Sequence, residues 1–399
     1  MSDRIHAQDG PTPVSFNRLG PFYRLQRRLG LLSDTDLAAG RRGILFIAFA
    51  WGPAVLLAAL QGDVFDANHA RAILFDFSVY ALAIAIGAFV LMEQSSDRRM
   101  VMLVHQFTVR GIVRASARES FVRVRQNMER RTGSWLAELA ILVAAYAVSY
   151  AWLHAGAARV EGGTWIGTVT DGSFHPTLAG WWALLVALPL YWFLFGRWLW
   201  RFGTWGLMLR DIARCDLRLV ATHPDRCGGL AFIGQYPKTY VLFVFAESTV
   251  VSAAVLKLIV HGGASLMSFK FALLGMILFF AIAFVLPLLV FAPLLTRLKR
   301  QGLSRYGALA SQHNLAFEAK WAGDGQVEPG EDLLGAPDPS SLADLAAGYE
   351  LVKNMLAVPV TKESIAPLVL AVVLPLVCVA ATQAPLKEIM GALKGMLLL

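Results

Sequence analysis

Seven long apolar runs constrain what this chain can fold into more than any other feature of its sequence. The hydrocarbon core of a bilayer requires about 20 apolar residues per helix. The runs lie at 43–61, 73–92, 135–155, 178–199, 240–260, 271–296 and 365–382. They predict a polytopic membrane protein whose spans are all helical, because a helix satisfies its own backbone hydrogen bonds in lipid.

The segments between these runs alternate in basic charge. The N-terminal segment, 93–134, 197–239 and 297–364 carry seven, nine, seven and seven Lys or Arg, whereas each intervening loop carries one. Cytoplasmic loops of membrane proteins are enriched in Lys and Arg. The alternation therefore predicts a cytoplasmic N-terminus and a periplasmic C-terminus. The first 40 residues hold no apolar run like that of a signal peptide, so we expect the first span to be retained.

The composition agrees with a membrane protein and accounts for the net charge. The chain is 56% hydrophobic and 16% charged, and its formal net charge is +8. Soluble proteins average about 25% charged residues. Because the positive-inside rule explains the excess of Lys and Arg, we expect membrane lipid and not nucleic acid as a partner.

These patterns together predict an all-α, polytopic helical membrane protein with about seven transmembrane helices and helical cytoplasmic extensions. Residues 1–42 form a cytoplasmic segment whose basic, amphipathic stretch Pro21 to Leu32 suits an interfacial helix. Residues 43–299 form the membrane domain with six spans. Residues 300–364 hold a cytoplasmic helix, an acidic linker and a second helix, and 365–399 hold the last span and an interfacial tail.

Three local features refine this description. The stretch 321–345 is rich in Gly, Pro and acidic residues and is typical of a linker. Ser340 or Ser341 is placed to cap the helix that follows. The outer loop between the third and fourth spans contains Gly-Gly and Asp-Gly around a β-prone run, which favours a short hairpin.

The stretch LVATHPDRCGGLAF, from Leu219 to Phe232, supports competing interpretations. His-Pro-Asp after a basic helix resembles the loop of a J-domain co-chaperone, but the span that follows leaves no room for the rest of such a domain. A structured elbow is the simpler hypothesis. Pro224 ends the preceding helix at His223, Asp225 accepts backbone N–H groups or pairs with Arg226, and Gly228 and Gly229 permit positive φ. Alternatively, Arg226 and the glycine amides form a gate or an anion-contact loop.

The charged residues within the predicted spans include Asp76, Glu138, Glu247 and Lys257. Asp76, Glu138 and Lys257 lie within about a turn of a helix end, where water or snorkelling lowers the cost of charge. Glu247 lies deeper, where an ionised carboxylate costs about 2.5–3.5 kcal/mol. Glu247, with Ser248 and Ser252 on the same helix, is therefore either a polar clamp between helices or part of an ion or solute path.

Motifs for cofactors and catalysis are absent from the sequence. Cys215, His223 and Cys227 supply three ligands but no fourth, so we predict no metal site. The scattered histidines do not favour haem, and we expect no cofactor. The chain has no nucleophile elbow, zinc-protease motif or phosphate-binding loop, so we favour a protein that is not an enzyme.

The segments HPDRCGGLAF and ELVKNMLAVPV resemble a family of uncharacterised bacterial polytopic inner-membrane proteins. The resemblance covers the second half of the chain. It implies a bacterial inner-membrane location and no particular activity.

The functional hypothesis from the sequence is a channel or transporter for an ion or small solute, lined in part by Glu247, Ser248 and Ser252 and assembled as a homo-oligomer. The alternative is a non-catalytic scaffold or signalling component that binds a partner through its cytoplasmic helices. A wet path beside the fifth span favours the first, and an apolar patch on the inner helices favours the second.

Overall fold

The computed structural model describes residues 16–32, 37–65, 72–157, 164–170, 173–322, 333 and 336–382. The predicted C-terminal interfacial tail and residues 323–332 and 334–335 of the acidic linker lie outside these residues. Seven helices in the described part of the chain are long and apolar enough to cross a membrane, which confirms the all-α polytopic fold class. They are Ala39–Gln61, Phe77–Val109, Ala115–Ala151, Leu178–Ala213, Ala231–Val260, Leu266–Ala322 and Lys362–Ala380.

Twelve α-helices in the described residues build these spans and their extensions. They are α1 Pro21–Arg28, α2 Ala39–Gln61, α3 Phe77–Val109, α4 Arg118–Thr132, α5 Trp135–Ala157, α6 Leu178–Trp182, α7 Leu188–Ala213, α8 Val241–Gly262, α9 Lys270–Val285, α10 Ala292–Phe317, α11 Pro337–Lys353 and α12 Lys362–Ala380. A π-helical turn, Ala183–Ala187, joins α6 to α7, and a 3₁₀ segment, Leu286–Phe291, joins α9 to α10. Another 3₁₀ segment, Ala231–Tyr240, leads into α8.

Helix α8 makes its main contacts with two other membrane helices. It packs against α3 on one side and α12 on the other, while α2 also covers α3 and α5 covers α7. Leu242, Val251, Leu258 and Val260 of α8 are exposed, so the helix also presents an apolar face away from these neighbours.

The Arg-rich segments lie together at one end of the bundle, which we call the basic end. There α3, α7 and α10 extend beyond the membrane-length part of each span. The connection after α3 pairs with the connection after α7 through the bridge Val113↔Leu217, and Arg218 N donates to Ile112 O at 2.7 Å. Helix α11 packs on α10. The basic end is thus a folded unit continuous with the membrane helices.

A short antiparallel hairpin lies at the opposite end. Strands β1 Gly167–Thr170 and β2 Ser173–Pro176 pair with Thr170 opposite Ser173. The predicted hairpin between the third and fourth spans is therefore confirmed. Trp165, just before β1, donates to Asp76 Oδ2 at 2.9 Å and ties the hairpin to the start of α3.

The expected cap of α11 was wrong. The helix begins at Pro337, and its N-cap residue Ala336 makes no side-chain capping bond. Pro337 suits the first turn because its fixed φ is helical and its missing N–H has no partner there anyway. Ser341 instead donates back to the carbonyl of Asp338 at 2.8 Å. At the other side of the linker, a π-helical segment, Glu318–Ala322, prolongs α10.

Candidate functional site

Glu247 lies on α8 beside Tyr191 of α7. The phenol O–H of Tyr191 lies 3.0 and 3.1 Å from the two carboxylate oxygens of Glu247. Tyr191 is buried, and its ring stacks with Phe89 and Phe195 at centroid distances of 5.9 and 6.3 Å. An acid held by a tyrosine within an aromatic layer is costly to keep ionised. Among the charged residues of α8, Glu247 is therefore the one whose position calls for a functional explanation.

The two serines predicted to accompany Glu247 face a different helix. Ser248 is fully buried and donates to the carbonyl of Val372 in α12 at 2.6 Å. Ser252, one turn further along α8, is 4% exposed, and its Oγ has no hydrogen-bond partner among the described residues. The structure therefore places Glu247 towards α7 and Ser248 towards α12. The predicted path residues share a helix but do not converge on one point.

Asp225 organises the loop from His223 to Gly229. Its Oδ1 accepts from the backbone N–H groups of Cys227 and Gly229 at 2.8 and 3.1 Å. Its Oδ2 accepts from Ala231 N at 3.1 Å, at the start of the 3₁₀ segment that leads into α8. Gly228 and Gly229 have φ values of 64° and 100°, which only glycine adopts freely. This geometry supports the elbow hypothesis, because the carboxylate is used inside its own loop.

Arg226 does not form an ion pair with Asp225, which was one of the options that the sequence left open. It has φ 57°, and its carbonyl accepts from Leu356 N at 2.8 Å. The loop is thereby joined to the connection between α11 and α12. His223 instead lies beside Asp225, with Nδ1 at 2.9 Å from Oδ1 and at 3.2 Å from the Asp225 amide nitrogen.

The helix before this loop ends earlier than expected. The sequence predicted a helix running to His223, but α7 ends at Ala213. Residues 216–218 instead pair with the segment after α3, where Arg114 N donates to Asp216 O at 3.4 Å. Pro224 therefore acts within the loop and does not end the helix.

We expect Asp225→Asn to lower the free energy of unfolding by about 1–2 kcal/mol at pH 7, because Asn offers one acceptor oxygen where Asp offers two. Partial burial opposes ionisation of Asp225, but the amides of Cys227, Ala231 and Gly229 and the nearby His223 outweigh it and hold its pKa below the ordinary 3.8. A depressed pKa contributes stability above about pH 3.8, and this is lost as the pH falls through the folded-state value. Melting curves of both proteins should therefore converge in acid, and a constant difference would contradict the assignment.

The thiols near this loop are protonated. Burial, with a contribution from the charge of Asp225, raises the pKa of Cys227 to about 12. Burial also raises the pKa of Cys215, helped by Asp211. Thiols bind metal as thiolates. Among the residues that the structure describes, no group of three His, Cys, Asp or Glu side chains is arranged to hold a metal ion.

An ionic cluster at the start of the basic end was missed by the sequence reasoning. Glu93 of α3 accepts from Arg42 at 2.8 Å and lies 3.3 Å from both Arg197 and Arg201 of α7. These four side chains are 1–7% exposed. The predicted second span ended at residue 92, so Glu93 was counted among loop residues. The sequence did contain one indication of the cluster: Arg197 and Arg201 are four residues apart and therefore lie on one face of a helix.

Glu138 joins the same ionic cluster. It was expected to be relieved by water near a helix end, but its side chain is only 9% exposed. Its Oε1 lies 3.5 Å from Arg197 Nε, and its Oε2 accepts from Phe22 N of α1 at 2.8 Å. The cost of burial is met by a cation and a backbone donor, not by water. With three arginines and two glutamates, 3 − 2, the cluster carries a formal charge of +1.

The segment 16–28 closes this cluster from outside. Asp97 Oδ1 accepts from the backbone N–H groups of Phe16 and Asn17 at 2.8 and 3.2 Å, and Gln26 accepts from Arg42 at 2.6 Å. The ring of Phe22 lies 4.5 Å from the Arg197 guanidinium carbon. Leu25 and Leu29 of the predicted interfacial stretch stay 52% and 64% exposed. One face of this segment is therefore anchored on the bundle, and the other presents leucines.

Asp76 and Lys257 form a separate pair at the opposite end of the bundle. Lys257 Nζ lies 3.5 Å from Asp76 Oδ2, and Asp76 Oδ1 accepts from Ser78 N at 2.9 Å as the cap of α3. The Lys257 side chain is 45% exposed. Both residues thus lie near helix ends, as the sequence predicted.

Comparison with known proteins returned no match: no family model, no curated protein and no solved structure is similar to this chain. The resemblance carried by HPDRCGGLAF and ELVKNMLAVPV stays a prediction.

Proposed function

We propose that the protein is a channel or transporter for an ion or small solute and that Glu247 lies on its path. The observation that carries the proposal is the acid itself, half-buried on the membrane helix α8 and hydrogen-bonded by the buried Tyr191. Ionisable residues inside membrane helices are expensive and usually mark substrate or proton pathways. Ser252, whose buried hydroxyl has no partner in the part of the chain that the structure describes, adds a second polar group on the same helix.

The expected location is the bacterial inner membrane, with the basic end in the cytoplasm. The seven apolar helices support a multi-pass membrane protein. The concentration of Lys and Arg at one end of the bundle supports the orientation. Contact with membrane lipid and assembly as a homo-oligomer belong to the same proposal.

Replacement of Glu247 by Gln tests the path. The flux is measured in proteoliposomes that conduct protons, potassium or sodium. We expect the variant to change the flux by about tenfold or to abolish its pH dependence. The tenfold change corresponds to the loss of one charged contact of ~1.4 kcal/mol. The amide keeps the shape of the side chain and can still accept from Tyr191. Tyr191→Phe removes the donor and should shift the same pH dependence.

Glu350→Gln, an exposed change on α11, serves as the control and should leave flux unaltered. A Glu247→Gln protein with wild-type flux and a changed melting temperature would assign Glu247 to a clamp between helices instead.

A second candidate function is a scaffold that binds a partner through the basic end. Leu309 and Leu315 on the outer part of α10 are 49% and 67% exposed. Exposed leucines on an extension that carries few buried residues favour contact with another surface.

A further inference from the structure

Two adjoining cavities at the basic end share Arg110 in their walls. The first has a volume of about 340 Å³ and is lined by Arg110, Arg218, His223 and the glycine-rich part of the loop. The second, of about 520 Å³, is lined by Arg99, Gln106, Arg110, Gln235 and Lys238 among others. We call the two together the basic groove.

The charge in the basic groove is unbalanced. Its walls hold four permanent cations, Arg99, Arg110, Arg218 and Lys238, and one acid, Asp225. The formal charge is therefore 4 − 1, or +3, before His223 is counted. Moreover, both oxygens of Asp225 already accept backbone N–H groups. The acid stabilises the loop that forms the wall, which leaves the cations to attract an anion.

Contacts position the side chain of Arg110 and the backbone of Arg218 in the groove wall. The guanidinium of Arg110 stacks over Phe232, with 5.1 Å between its Cζ and the ring centroid. The backbone of Arg218 is fixed by its bond to Ile112 O at 2.7 Å. The imidazole of His223 lies over Gly229, where an added Cβ would come within 3.8 Å of Cδ2. The His223 imidazole and Gly229 thus lie next to each other in the wall of the groove.

Gln106 supplies an independent observation. It lines the second cavity, and its buried Oε1 has no hydrogen-bond partner among the described residues. A buried acceptor without a donor costs about 1–3 kcal/mol. A ligand with a hydroxyl or amino group would satisfy it, so the groove suits an anion that also carries a hydrogen-bond donor.

We propose that the basic groove binds a phosphorylated small molecule, with a phosphoryl group at Arg110, Arg218 and His223 and a hydroxyl or amino group at Gln106. Guanidinium groups are the preferred partners of phosphate oxygens. Arg110 lies 17 residues beyond Glu93 along α3, roughly 25 Å by helical rise. This distance from the ionic cluster favours a soluble compound over the headgroup of a lipid in the bilayer.

The proposal does not depend on transport, and binding tests it without any flux. Detergent-purified full-length protein is titrated calorimetrically with inorganic pyrophosphate and with AMP, which adds hydroxyl and amino donors. We expect saturable binding of both probes, weakened about tenfold by Arg218→Gln, the equivalent of one charge-assisted contact. Arg305→Gln, on the exposed surface of α10, should leave the affinity unchanged. Gln106→Leu should weaken AMP and spare pyrophosphate.

A parallel arm distinguishes the source of the phosphate. Nanodiscs with and without phosphatidylglycerol are compared for protection of the protein against thermal unfolding. Suppose that phosphatidylglycerol protects the native protein, that Arg218→Gln abolishes this protection, and that neither soluble probe binds. This result would overturn the proposal of a soluble ligand and assign a lipid phosphate to the groove. Equal weakening by Arg218→Gln and Arg305→Gln, or no binding of either probe and no lipid protection, would overturn the groove as a phosphate site.

Discussion

Glu93→Gln is expected to lower the free energy of unfolding by about 3–5 kcal/mol, because it leaves buried arginines without their shared counter-charge. Arg42 and Arg201 lose their charged partner, and Arg197 keeps only Glu138. The amide retains the size and part of the hydrogen bonding of the carboxylate, so the loss is electrostatic. Denaturant unfolding in detergent micelles measures it, with the monodisperse fraction on gel filtration as a second readout.

A double-mutant cycle separates this electrostatic effect from a packing defect. Glu350→Gln, whose side chain is 52% exposed, should stay within about 0.5 kcal/mol of the native protein. Arg42→Gln combined with Glu93→Gln should be less harmful than the sum of the single changes, with a coupling of about 0.5–3 kcal/mol. Strict additivity, or a native-like Glu93→Gln protein, would show that the cluster does not stabilise the fold.

Gly234→Ala is expected to destabilise the basic end by about 1–3 kcal/mol, the usual cost of forcing a side chain into a packed contact. Gly234 lies in the 3₁₀ segment before α8, and a Cβ there would overlap the carbonyl oxygen of Pro359. Because that oxygen belongs to the backbone, no rotamer change relieves the contact. Hydrogen exchange should increase in residues 354–361 as well as in the 3₁₀ segment.

Gly348→Ala is the matched control. Gly348 lies within α11 and has open space around its Cα, with nothing within 4 Å of an added Cβ. Alanine there should stabilise the helix by roughly 0.5–1 kcal/mol. Gly234→Ala with unchanged exchange at 354–361 would mean that this contact between the two segments does not hold them together.

These expectations concern contacts whose two partners no local sequence pattern identifies. Glu93 and Arg42 are separated by 51 residues and Glu93 and Arg201 by 108. In the sequence each looks like an ordinary charge at the inner edge of a span, since the positive-inside rule accounts for arginines without assigning partners. The pairing follows only when α3 and α7 pack side by side.

The elbow loop from His223 to Gly229 was predictable from the sequence only in part. Pro224, Gly228 and Gly229 predicted a turn with positive φ from local chemistry alone, and the two glycines adopt it. The end of α7 at Ala213 was not predictable, because it depends on a bridge to Val113, a hundred residues earlier in the chain. The residues after Ala213 could continue the helix by their own propensity, but some of them form backbone hydrogen bonds with the segment after α3 instead.

What the sequence by itself determined is the membrane class and the number of spans. Water is absent from the bilayer core, so any chain with seven runs of this length must form backbone hydrogen bonds within each run, whatever their partners. Tertiary structure alone decided that Glu247 lies against Tyr191 while Ser248 lies against α12, and that Arg110, Arg218 and His223 line one groove. The physical reason is that side-chain direction depends on which helices surround each residue, and chain periodicity carries no information about the neighbour.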